Sequence, residues 1–119
     1  MQVVIDPRIE RDAEVLDRVR RANSYLETRL GQFKNEAEIR WAAPADRSGQ
    51  LELTLRFTGE VPAEASGSFS ADVLRPDQYP GPWLRRVVNR LFEQRVDVHL
   101  SRVRHMLREL DREEALTGA

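Results

Sequence analysis

Seven arginines fall between Trp83 and Arg108, namely Arg85, Arg86, Arg90, Arg95, Arg102, Arg104 and Arg108, and only two acids, Glu93 and Asp97, lie among them. Clustered guanidinium groups gain free energy by displacing counterions from phosphates, so this segment predicts an anionic partner, nucleic acid foremost. Two ordinary explanations stand beside that one: the solubility of a surface helix, and a general preference for arginine in a chain whose single lysine is Lys34. The preference for arginine does not explain why acids are scarce here and frequent elsewhere. Docking of a protein partner is the competing reading.

Other chemistry finds little to stand on. His99 and His105 are the only histidines, and on a helix a six-residue step turns them about 240° apart, so they cannot share a metal as an i, i+4 pair does. Without cysteine, thiol catalysis and cysteine-ligated metal are excluded. The acids sit beside arginines on wet faces, and no spacing of glycines makes a phosphate-cradling loop. No catalytic residues, metal or cofactor are expected, and the chain does not read as an enzyme. Tyr79 and Trp83 flank a proline-rich stretch. Aromatics beside arginines can stack on unpaired bases, but Trp83 is expected to close the core where the loop enters the helix, and Trp41 to lie in the core.

The elements that must position these groups follow from periodicity. Met1 to Ile5 lead to Asp6-Pro7, a short strand and then a helix start. From Ile9, the positions Ala13, Leu16, Val19, Ala22, Leu26 and Leu30 form one helical stripe, with Gly31 as its stop. Its outer face pairs Glu14 with Arg18 and Asp17 with Arg21 at i, i+4, a solvated, charge-balanced surface. The period then changes to two. Ala37, Ile39 and Trp41, then Leu51, Leu53, Leu55 and Phe57, alternate with polar residues around a turn at 44–49, which predicts an antiparallel hairpin with one wet face. Val61, Ala63, Ala65, Gly67 and Phe69 make a weaker strand, whose small side chains leave room for a close helix.

Residues 75–82 form a Pro-rich loop, and Leu84, Val87, Val88, Leu91 and Phe92 open the last helix. Val96, Leu100, Val103, Leu107 and Leu110 continue the apolar spacing with a shift of phase near 94–98, which predicts a bend or two successive helices. At about 50 Å from Trp83 to Ala115, this helix outruns strands of about 20 Å, so the excess folds back or meets a second copy or another protein. The expectation is a single α+β domain over residues 1–116. It has the order β-α-β-β-β-α, a mostly antiparallel four-stranded sheet, two helices on one face and an extended C-terminal helix, with a frayed tail at 117–119.

With 119 residues, a net charge of -1, 40% hydrophobic and 33% charged residues, the composition is that of one globular domain. No apolar run suits a membrane span and no secretory pattern opens the chain, so a cytoplasmic place is expected and no membrane partner.

This order of elements resembles the short ribosome hibernation-promoting factors, which pack two helices on one face of a four-stranded sheet. The resemblance rests on the opening strand Met1 to Ile5, the stretch Tyr25-Leu26-Glu27-Thr28-Arg29-Leu30, the alternating strand Leu51 to Phe57, and Ala63-Glu64-Ala65-Ser66-Gly67. It covers residues 1–72 in order and helix 83–108 in type. It implies a ribosome-associated, RNA-binding protein that occupies the small ribosomal subunit and restrains translation. The contacts to ribosomal RNA would come from Arg18, Arg21 and Arg29 on the first helix and Arg85, Arg86, Arg90 and Arg95 on the second. The chain departs from the family in its inserted loop at 75–82, its balanced first helix and its longer last helix. The alternative function is a protein-interaction or oligomerisation module that uses Val96, Leu100, Val103, Leu107 and Leu110 as its interface.

Overall fold

A computed structural model describes residues 1–77 and 80–116; Tyr79 and the tail 117–119 lie outside the described residues. Strand β1 (Gln2–Ile5) leads through a single-turn helix α1 (Pro7–Glu10) to α2 (Ala13–Leu30). Strands β2 (Ala37–Ala42), β3 (Gln50–Phe57) and β4 (Ala63–Ser70) follow, and the long helix α3 (Gly81–Leu116) ends the described chain. The sheet order is β1-β2-β3-β4, with β1 parallel to β2 and the other pairs antiparallel. The expected α+β class, its mostly antiparallel four-stranded sheet and its long last helix are therefore present.

The alternating pattern sorts the strands as read. Ile39, Trp41, Leu51, Leu53, Leu55, Phe57 and Phe69 are buried, and they meet Val19, Leu26 and Leu30 of α2 and Leu84, Val87 and Leu91 of α3 in one hydrophobic core. Both helices touch the sheet and each other. The indole N–H of Trp41 donates to Asn23 Oδ1 at 2.6 Å, so each of these buried side chains finds a polar partner within the core.

Two helices differ from expectation, each for a local reason. The first helix does not run unbroken from Ile9, because the Asp12 carboxylate accepts from the N–H groups of Glu14 and Val15 and caps a new helix. Gly31 stops α2 as expected, but not in a left-handed conformation. Its φ is -57°, and the chain passes into a 3-10 turn at Gly31–Phe33. The last helix shows neither a break nor a second segment, being one helix of 36 residues. Between Trp83 and Leu116 there is neither glycine nor proline to interrupt it. It does not fold back: every residue from His99 to Leu116 is exposed, and the molecule measures 68 × 30 × 22 Å.

Close packing of α3 on β4 depends on Gly67, which pairs with Leu53 in the register. A Cβ placed there would lie 2.8 Å from Val87 Cγ2. Two α3 side chains also close the outer edge of β4. Glu64 N–H donates to Gln94 Oε1, and Arg90 Nη1 donates to the Ser66 carbonyl at 3.1 Å.

At the other end of the sheet, Asp6 caps α1 and holds it to the end of β2. Its carboxylate accepts from Arg8 N–H at 2.9 Å and from Ala43 N–H at 3.3 Å. The Arg8 amide bond, more than any other contact, holds its pKa below the ordinary aspartate value.

Two measurements check this packing. Gly67→Val should lower unfolding stability by about 1–3 kcal/mol through overpacking against Val87, seen as a lower midpoint in chemical denaturation. Because the folded pKa of Asp6 is depressed, its contribution is present above the unfolded value and is lost as pH falls through the folded one. The stability margin of wild type over Asp6→Ala should accordingly narrow below about pH 4.

Candidate functional site

The side chains of α3 divide by angle around its axis, at about 100° per residue. Leu84, Val87, Val88 and Leu91 face the core. Val96, Leu100, Val103, Leu107 and Leu110 lie roughly 130° away from that face, and each is between 37% and 55% exposed. Their steps of four, three, four and three residues are heptad spacing, which keeps a stripe on one side of a helix that meets another helix. The exposed rod from His99 to Leu116 is roughly 27 Å long. Leu100, Val103, Leu107 and Leu110 on this rod, with Val96 at its base, make the longest aligned run of exposed large hydrophobic side chains among the described residues.

At its base the stripe enters a cleft of 280 Å³ lined by Val61, Phe92, Arg95, Val96, His99 and Leu100. Further toward the start of α3 the same line continues into a groove of 260 Å³ between α2 and α3, bordered by Tyr25, Arg29, Arg85, Val88, Asn89 and Phe92. Asn89 lies in the phase of the stripe on α3 itself, whereas Tyr25 and Val61 reach it through tertiary packing; Val61, expected in the weaker strand, falls just before β4 (Ala63–Ser70).

The arginines expected to bind phosphate fall into different environments. Arg95 turns inward. Its guanidinium pairs with Glu36 at 2.5 Å and lies over the rings of Phe57 at 4.3 Å and Phe33 at 5.3 Å, with its side chain 21% exposed. The signal was available in the spacing: eleven residues from Leu84 is just over three turns, so Arg95 shares the core phase. Seven residues on, Arg102 lies on that same side and donates to the Glu60 carbonyl. Arg18 is held by Glu14 and by the Ala71 carbonyl, and Arg21 by Asp17 at 3.5 Å. The ion pairs read from i, i+4 spacing are thus present.

Arg29 lies over Tyr25 at 5.1 Å and shares the α2/α3 groove with Arg85. On another face, Trp83, Arg86 and Arg90 line a second groove of 240 Å³ with Ser66 and Ser68 of β4. Trp83 does not close the core as expected. It is 45% exposed, with Arg86 over its ring at 5.2 Å, because the helix already begins at Gly81 and one residue back from Leu84 turns it away from the sheet. Arg104 and Arg108 repeat the phase of Arg86 and Arg90 about five turns later, but Glu93 and Asp97 occupy nearly the same phase between them. The outward charge therefore forms three separate groups, two on different faces of the base and one on the rod.

His99 and His105 are both exposed, and no cluster of metal-ligating residues occurs among the described residues. No described helix is long and apolar enough to cross a membrane.

The two classes of arginine should separate in stability measurements. Arg95→Ala leaves Glu36 partly buried without its cation and should cost about 2 kcal/mol, whereas Arg85→Ala should stay within about 0.5 kcal/mol; urea denaturation of the two variants checks the contrast. No family model matches this chain, and no curated protein or solved structure matches it.

Proposed function

We propose that this protein is an interaction module whose C-terminal helix docks a helical protein partner. One observation carries this reading: the aligned, exposed side chains of Val96, Leu100, Val103, Leu107 and Leu110 on a rod that no other element covers. Such a stripe is costly to leave in water, at roughly 25 cal/mol for each Å² of apolar surface. It is also unnecessary for the domain, whose buried core ends at Leu91 along α3. A second helix with apolar groups at matching spacing would remove the stripe from solvent, and the cleft beside Val61 and Phe92 would take a side chain from it.

A second reading is binding of RNA, in the manner that resemblance to ribosome hibernation-promoting factors implies. It is favoured by the groove in which exposed Trp83 and Arg86 lie beside Arg90 and the serines of β4. Bases could stack on the indole while guanidinium groups meet phosphates, and binding would act by occupying a site on the small subunit.

A photo-cross-linking side chain at Val103, introduced in cells, should give adducts with protein. Leu100→Asp combined with Leu107→Asp should abolish them while leaving the unfolding midpoint of the domain within a few degrees of wild type. Absence of any protein adduct would remove the interaction reading. For the RNA reading, affinity for ribosomal subunits should fall steeply between about 50 and 200 mM salt and drop again in Arg86→Glu; no salt-dependent binding would end it.

A further inference from the structure

The charges along α3 run against its own dipole. Helices favour acids at their start and bases at their end, yet α3 has no acid in its first turn and no base in its last. From Gly81 to Phe92 it carries Arg85, Arg86 and Arg90 and no acid, whereas from Glu109 to Glu114 it carries Glu109, Asp111, Glu113 and Glu114 against Arg112 alone. The isolated helix gains nothing from this order. Two such helices side by side in opposite directions do, since each basic base then meets an acidic tip and the two dipoles oppose.

Resting on the interaction-module reading, we propose that the partner is a second copy of this chain, bound antiparallel through the stripe of α3. The charges select the register. If Leu100 lies against the partner's Val103, symmetry places Val103 against the partner's Leu100 and Val96 against the partner's Leu107. Asp97 then comes beside the partner's Arg104, twice over. Neither Asp97 nor Arg104 has an ion-pair partner within its own chain among the described residues. A slide of one heptad toward the tips would instead oppose Arg104 to the partner's Arg104 and Asp97 to the partner's Asp111.

The base of the rod fits the same register. Leu110 of the partner subunit reaches the cleft formed by Val61, Phe92 and Val96. The following turn, with Asp111 and Glu113, runs toward the groove that Arg29 and Arg85 border. A parallel pair would bring three arginines of each base together and the acidic tips together, so like charges oppose it.

Light scattering of the full chain at tens of micromolar should give twice the chain mass. Arg104→Asp should raise the dissociation constant about tenfold or more by facing Asp97 with a second acid, and Asp97→Arg combined with Arg104→Asp should restore it. The chain has no cysteine, so a spin label on Arg112→Cys reports one distance: roughly 30 Å between copies for the antiparallel register, against about 10 Å for a parallel pair. A strict monomer overturns the proposal, and so does the short distance. If the monomer's Val103 cross-linker still captures a different protein, the interaction reading stands and the self-pairing alone is removed.

Discussion

Laying a helix of 36 residues across strands of at most eight determines where this molecule is a globule and where it becomes a rod. The first three turns of α3 are spent on the sheet, where Gly67 lets Val87 approach the backbone of β4 and Leu84 and Leu91 are fully buried. Beyond Val98 there is no sheet left to cover, and the helix continues because nothing in its sequence stops it. The apolar side chains then rotate to a different face. A helix that had merely overrun its sheet would show polar residues all round, and this one shows an ordered stripe.

The transition between these regimes is built from polar contacts. Arg95 occupies the core phase one turn past the last fully buried leucine, and its paired guanidinium lies over Phe57 and Phe33. Its long stem covers apolar surface while its charge is met by Glu36, so the core closes with a cation at its rim. Arg90, Gln94 and Arg102 add hydrogen bonds to β4 and to the loop after β3. Together these contacts clamp the helix where it leaves the sheet and set the direction in which the rod projects.

Most of the fold was legible because one-sided burial writes itself into periodicity. Period two at 36–41 and 51–57 and helical spacing from Ala13 and from Leu84 placed the strands, the helices and the side of each that is buried. Part of what stayed hidden is local capping, and part depends on residues distant in sequence. The 3-10 turn at Ala71–Leu74, the cap at Asp12 and the exposure of Trp83 follow from capping and from where a helix begins. The arginine-rich segment was legible as charge but not as separate surfaces, because composition does not carry phase. Counting from Leu84 separates Arg95 and Arg102 from Arg86 and Arg90, whereas the ring contacts of Arg95 are known only once Phe33 and Phe57 are brought beside it.

The hydrophobic core is closed by Leu84, Val87, Val88 and Leu91, all from the last third of the chain. On a polypeptide made from its N-terminus, the sheet and α2 must wait with one face uncovered until these residues have emerged.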